Sequence, residues 1–369
     1  MLQVLFHAWE RRLADVTKDR VVRPFEWGLD WIPSNGHRAD RQPAHVLGDW
    51  VSSVMADTDA FFTPPPTTDY TLRRTADGDL LTFPSALETP HASNNTVYAR
   101  YFRAKAPMKG RPTDVGLTHA GHRFSGASPH SGASSSRAAV LVMPQWNSDS
   151  EGHVGLCRLL AWNRMSALRL SLPYHDERMP PELHRADYIV SANVARTVQV
   201  CRQAVLDARR AIGWLALQGY DRIGILGTSL GSCLALLTTA HEPLIEAEAL
   251  NHISPYFADV VWRGISTRHV REGMDGHIDL DLLRALWKPI SPRWYLDRIS
   301  DRRTLLVYAR YDLTFPVDLS EDLVRAFRES RVPHEVAVLR CGHYSTGKTP
   351  FKLVDGWLLT RFLKRALQV

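Results

Sequence analysis

A serine hydroxyl is a useful nucleophile only where a fold lifts it clear of its surroundings and aims it at a base. Ser229 lies in a stretch that could do this, DRIGILGTSLGSCLALLTTA over 221–240. Ile223-Gly224-Ile225-Leu226 reads as a short buried strand, and Ser232 to Ala240, small and aliphatic, reads as a buried helix. Between them stands Gly227-Thr228-Ser229-Leu230-Gly231, so strand, G-x-S-x-G and helix follow in the order a nucleophile elbow requires. Side chains two positions before and after the serine would collide in so sharp a turn, which accounts for the glycines. The N–H of Leu230 opens the helix and points at negative charge developing on an acyl oxygen. The chemistry of this pattern is acyl transfer through a serine.

Such a serine needs a base, and the base needs a carboxylate to orient it. Thr304 to Ala309 (TLLVYA) reads as a strand, and Arg310-Tyr311-Asp312-Leu313-Thr314-Phe315-Pro316 as the turn at its carboxyl end, before a helix over Val317 to Ser330. That places Asp312 on the edge of the sheet where the elbow lies. Glu335 to Leu339 reads as the last strand and runs into Arg340-Cys341-Gly342-His343-Tyr344-Ser345, which places His343 on the same edge. Serine, acid and histidine then follow in the chain order Ser229, Asp312, His343. His334 and His269 are the alternative bases, and Asp259 the alternative acid. His175-Asp176-Glu177 follows another strand and either lines a pocket or holds a loop by salt bridging.

The elements that must position these groups alternate along the chain. Ala138 to Met143 (AAVLVM) is a buried strand, Gly152 to Arg164 a helix, Ala167 to Leu172 a strand and Ser191 to Gly219 a long helix. The elbow strand, Ala247 to Ile253, Thr304 to Ala309, Glu335 to Leu339 and a closing helix over Gly356 to Leu367 complete the series. Strands alternating with helices predict an α/β fold with a mainly parallel, doubly covered sheet. Asp79 to Leu87 is broken by Pro84, which suits an edge strand, and Asn95 to Ala104 alternates as a strand. The rhythm is interrupted at 254–303, where Trp262, Trp287, Trp294 and Tyr295 sit among charged residues. An insertion there overhangs the strand ends, where open α/β sheets bind ligands, and reads as a helical lid. Residues 1–75, with helices over Met1–Val16 and Ala44–Met55 and many aromatics, read as an N-terminal helical extension packed on a domain of residues 76–369. Residues 105–137, rich in Gly, Ser, Ala, Pro and His, read as a flexible surface loop. Its His119, His122 and His130 read as solvated rather than metal-ligating.

Composition bounds the function classes. The 369 residues suit one large domain with additions, or two. Hydrophobic residues make up 44% and charged residues 23%, which is ordinary for a soluble globular protein. The formal charge of +6 is spread as isolated arginines and pairs such as Arg209-Arg210, which argues against a nucleic-acid partner. Cys157, Cys201, Cys233 and Cys341 are scattered without C-x-x-C, so reduced thiols are expected rather than disulfides or zinc. No apolar run approaches the ~20 residues of a membrane span, and MLQVLFHAWERR lacks the marks of a signal peptide. A cytoplasmic location follows as the expectation. The chemistry calls for no cofactor and no metal.

The set GTSLG (227–231), YDLTFP (311–316) and CGHYS (341–345) resembles the α/β-hydrolase superfamily, and within it the esterase and peptidase branches. The resemblance covers roughly Asp79 to the C-terminus. The layout, with NHISPYFADVVW (251–262) after the elbow helix, is also similar to abhydrolase-domain proteins. It implies Ser229 as nucleophile, Asp312 as orienter and His343 as base, with an oxyanion hole from the N–H of Leu230 and one from the loop after Ala138–Met143. Lipases and esterases often carry His-Gly-Gly or His-Gly-x in that loop; this chain has Pro144-Gln145-Trp146-Asn147 instead, with Trp146 the favoured donor and Gln145 next. Trp262, Trp287 and His175 are the expected pocket residues, and the tryptophans near the mouth (Trp146, Trp262, Trp287) either suit an apolar acyl or aryl group or belong to the core. The implied activity is hydrolysis of a small-molecule carboxylic ester or acyl substrate through an acyl-enzyme. A serine peptidase or amidase of prolyl-oligopeptidase type shares the triad order, and a non-catalytic hydrolase-fold binding protein is the third reading.

Overall fold

The computed structural model describes residues 2–33, 41–75, 78–104 and 137–369. The loop expected over 105–137, with His119, His122 and His130, therefore lies almost wholly outside the described residues, as does the start of the chain at Met1.

Among the described residues nine strands make one sheet: β1 (Thr71–Arg73), β2 (Asp79–Pro84), β3 (Thr96–Phe102), β4 (Ala138–Met143), β5 (Met165–Leu170), β6 (Arg222–Thr228), β7 (Ile245–Asn251), β8 (Arg303–Ala309) and β9 (His334–Leu339). Their order is β1-β2-β3-β5-β4-β6-β7-β8-β9. From β5 to β9 every pairing is parallel, and β1, β2 and β3 add an antiparallel margin. The parallel strands β4 and β5 are buried at every residue, because helices cover both faces and each face must be apolar. The expected alternation of strand and helix is met. The edge differs from expectation, since β1 takes it and β2 is paired on both sides. Pro84 is tolerated because it ends β2, where its missing N–H interrupts nothing further.

The helices are α1 (Leu2–Ala14), α2 (Pro43–Ala56), α3 (Thr58–Phe62), α4 (Val154–Trp162), α5 (Val194–Leu217), α6 (Leu230–Thr239), α7 (Phe257–Arg263), α8 (Arg268–Met274), α9 (Leu280–Leu286), α10 (Val317–Glu329), α11 (His343–Thr346) and α12 (Phe351–Ala366). Two apolar clusters, one on each face of the sheet, hold them. One joins Leu141, Ile225 and Leu250 of the sheet to α5 and α6; the other joins Val140, Val142 and Val307 to α4 and α12. Each such buried aliphatic contributes about 1.5–3 kcal/mol relative to an exposed one. Residues 254–303 supply the helices α7, α8 and α9. Residues 1–75 supply α1, α2 and α3, packed on the domain, and also β1, so the expected division at 75/76 falls after the first strand of the sheet. Among the described residues no helix is long and apolar enough to cross a membrane.

Candidate active site

The site forms where β6, β7, β8 and β9 end, along one edge of the parallel sheet. Ser229 follows β6 with φ 55 and ψ −119, a backbone conformation that costs a non-glycine residue on the order of 1–3 kcal/mol. Three contacts hold it there. Its N–H donates to Asn251 O at 2.8 Å, and Ser232 donates to Ser229 O through its N–H at 2.9 Å and its hydroxyl at 2.6 Å. The flanking glycines are sites of close approach. A Cβ on Gly227 would stand 2.2 Å from Gly231 O, and a Cβ on Gly231 would stand 2.2 Å from Met143 O and 2.5 Å from Pro144 O. The elbow therefore presses on itself and on the end of β4. Among the described residues the Ser229 hydroxyl makes no hydrogen bond.

Leu230 is the first residue of α6, whose opening N–H groups have no partner within the helix. The loop after β4 reaches the same place through the Gly231 contact. Asn147, with φ 58, donates its N–H to His175 Nε2 at 2.9 Å, and His175 Nδ1 donates to Pro173 O at 2.9 Å. Burial pushes the His175 imidazole down to about 4, which keeps it a neutral acceptor for that N–H. The Asn147 side-chain oxygen accepts from Ala186 N–H at 2.8 Å, and Trp146 Nε1–H donates to Ala186 O at 2.8 Å. The Trp146 ring stacks on His269, centroids 5.8 Å apart and planes 3° from parallel. Gln145 and Trp146 are thus held on a braced loop, and among the described residues neither of their N–H groups makes a hydrogen bond.

Asp312, buried after β8, accepts at Oδ1 from the N–H groups of Thr314 (2.8 Å) and Phe315 (2.7 Å). At Oδ2 it accepts from His343 Nδ1 at 2.9 Å and from His252 Nδ1 at 3.0 Å. Burial would raise its pKa, but the His343 charge and the two imidazole hydrogen bonds outweigh it and hold the carboxyl well below the usual range. His343 opens α11, and its ring stacks on Phe315 at 5.4 Å with planes 1° apart. Burial works against its charged form, yet Asp312 outweighs burial and holds its pKa above the ordinary imidazole value. For His252 the balance is opposite: burial dominates and lowers its pKa.

Asp312 and His343 are therefore in contact and lie on the sheet edge that carries Ser229. The other expected residues fall elsewhere. Trp287 has no exposed surface; its indole donates to Val194 O at 3.0 Å and packs on Phe257, so it belongs to the core beneath the insertion, not to a pocket wall. His175 is likewise buried and holds the β4 loop, while Asp176 pairs with Arg169 at 3.0 Å. Trp262 is half-buried under the Arg271 guanidinium, 5.0 Å from its ring centroid. His334 begins β9, at the opposite end of that strand from His343, and bonds Val332 O. Asp259 is tied to Arg284 at 2.6 Å.

His252 is the residue that sequence reasoning passed over. It follows β7 directly, with φ 58, and its N–H donates to Val307 O at 2.8 Å. A histidine at the carboxyl end of a parallel strand next to the elbow strand was the available signal. His252, Asp312 and His343 form the group among the described residues whose donor atoms lie close enough together, within 4.8 Å, to hold an ion. Both Nδ1 atoms are spent on the carboxylate, so the same contacts are fully accounted for as a hydrogen-bonded set.

No protein-family model and no curated protein matches the chain. Among solved structures, the acetyl xylan esterase of a Paenibacillus species is similar with a TM-score of 0.58 at 14% identity, covering 91% of this chain and 97% of that one. Acetyl xylan esterase 1 of a Thermoanaerobacterium species is similar with a TM-score of 0.55 at 11% identity, covering 95% and 98%. The acylaminoacyl peptidase of Pyrococcus horikoshii is similar with a TM-score of 0.56 at 13% identity over 80% of this chain. The chain spans 41% of that peptidase's length. At these identities the likeness is one of architecture, and with the parallel sheet and the elbow on its edge it leads to one statement: the chain has the α/β-hydrolase fold.

Proposed function

We propose that the protein is a serine hydrolase that cleaves a carboxylic ester through an acyl-enzyme. The observation that carries this reading is the Asp312–His343 contact at 2.9 Å, on the sheet edge where Ser229 is held in a strained turn. His343 Nε2 takes the Ser229 proton as Oγ attacks the acyl carbon. The N–H groups of Leu230 and Trp146 receive the oxyanion, each such donor being worth about 3–4 kcal/mol of barrier. The tetrahedral intermediate collapses, and the leaving alkoxide takes the proton from His343. A water then surrenders a proton to His343 and attacks the acyl carbon, and as that second tetrahedral intermediate collapses Ser229 Oγ leaves with the proton from His343, releasing the acid product. Asp312 keeps the His343 proton on Nδ1, which leaves Nε2 free to act.

The insertion at 254–303 acts in this reading as a lid. Ile265 N–H donates to Leu313 O at 3.0 Å, and Ser266 bonds Thr314 Oγ1 at 2.8 Å and Tyr344 OH at 2.7 Å. It thus touches the residues beside both Asp312 and His343. Ester over amide is supported by the acetyl xylan esterases, whose full length is matched, against the peptidase, matched over less than half.

A fluorophosphonate probe tests the reading. Wild type should label on Ser229, and Ser229→Ala and His343→Ala should lose both labelling and ester turnover with melting temperature nearly unchanged. An unlabelled but folded wild type would leave a binding protein as the better account. Matched ester and anilide substrates separate esterase from peptidase or amidase.

A further inference from the structure

Glu10, on α1, is fully buried and lies against the turn that carries His343. Its Oε2 accepts the N–H of Tyr344 at 2.8 Å and its Oε1 accepts the N–H of Ser345 at 2.9 Å. These are the second and third residues of α11, whose first residue is His343. The turn is shaped around the carboxylate: a Cβ on Gly342 would stand 2.3 Å from Glu10 Cδ and 2.4 Å from its Cγ. The same helix grips the acid loop, since Phe6 stacks on Tyr311 at 4.6 Å with planes 13° apart. Tyr311 is the residue before Asp312, and its N–H donates to Cys341 O at 2.9 Å. One helix from the N-terminal extension thus holds the loop before Asp312 and the turn after His343.

We propose that Glu10 is a positioning residue for His343, its carboxylate fixing the turn from which the imidazole reaches Ser229, so that α1 is part of the reaction machinery. This rests on the assignment of His343 as the base. Burying a carboxylate is costly unless its oxygens are hydrogen-bonded, and here two adjacent N–H groups, aligned at the opening of a helical turn, supply those bonds. The turn closes on itself through Thr346 N–H to Gly342 O at 3.1 Å, and the two bonds to Glu10 tie that closed turn to α1, which fixes where its first side chain points. The groups facing His343 are Asp312 from the loop after β8, His252 from the end of β7 and Glu10 from α1. Burial opposes the protonated imidazole and the two carboxylates favour it, so loss of the Glu10 charge lowers the proton affinity of His343.

The test compares Glu10→Gln, Glu10→Asp and wild type on an activated ester. Gln keeps one acceptor but loses the charge and places an amide N–H₂ against a backbone donor. The expected result is a fall in kcat of about tenfold or more with KM little changed, since small displacements of reacting groups cost that much. The acid limb of kcat/KM should also move to lower pH in Glu10→Gln and stay near the wild-type position in Glu10→Asp, which retains the charge. Glu10→Asp supplies the kcat test if Glu10→Gln does not accumulate as folded protein. A wild-type kcat and acid limb in Glu10→Gln, with only a lower melting temperature, overturns the proposal while Ser229 and His343 keep their roles. A folded wild type that neither labels at Ser229 nor turns over an ester removes the base assignment, and the proposal with it.

Discussion

His252 and His343 donate their Nδ1 protons to the same oxygen of Asp312, at 3.0 and 2.9 Å, with their rings 4.6 Å apart. Two imidazoles this close to one carboxylate do not both carry charge readily. Burial lowers the pKa of His252, whereas Asp312 overcomes burial at His343 and raises it. Environments that push paired groups in opposite directions assign their roles. In the proposed reaction His343 is accordingly the one that accepts a proton, and His252 is a second donor to Asp312.

His252→Ala should therefore reduce kcat on an activated ester by about tenfold, whereas His343→Ala should reduce it by about 10³-fold or more. Steady-state kinetics on the two variants decide the matter. The reverse ranking would make His252 the base.

Activity in this scheme needs neutral His343, whose folded pKa lies above the ordinary 6.5. The acid limb of kcat/KM should accordingly fall above that value, with activity lost as pH drops through it. Linkage has the opposite sign: a raised imidazole pKa adds stability that is fully present below 6.5 and is lost as pH rises through the folded value. Asp312→Asn should move the acid limb downwards. A wild-type limb at or below the ordinary imidazole value contradicts the Asp312–His343 coupling.

Gly231→Ala places a Cβ 2.2 Å from Met143 O, a backbone atom that cannot swing aside. Overpacking of this kind costs about 1–3 kcal/mol or more, and here it also displaces the first turn of α6 and the loop after β4. Both melting temperature and kcat should fall. Gly48 in α2 has nothing within 4 Å of the corresponding position, so Gly48→Ala should be neutral or stabilising by up to about 1 kcal/mol. Equal melting temperatures for the two variants would deny the close approach at the elbow.

His175→Ala leaves the Asn147 N–H without its acceptor and frees the loop that presents Trp146. Leaving this half-buried donor without its partner should cost about 1 kcal/mol of stability. Loss of one oxyanion donor should lower kcat by about 10²–10³-fold. Melting and initial-rate measurements check both, and an unchanged kcat would remove this loop from the oxyanion hole.

The sequence by itself determined what is local. Glycines around Ser229 between an apolar strand and an apolar helix specify an elbow, and strands alternating with helices specify a parallel sheet whose carboxyl ends carry Ser229, Asp312 and His343. These follow from burial and turn chemistry within a few residues, which composition and periodicity record directly. Tertiary structure alone decided which distant groups meet. His252 reaches Asp312 across 60 residues and Glu10 reaches Tyr344 across 334, because strand order and the docking of α1 bring them together, and no spacing along the chain encodes either. The same limit explains Trp287 and His175. Both are types that could face a ligand or fill a core, and only the packing of the insertion against α5 and of the β4 loop against His175 settles that they are buried structural residues.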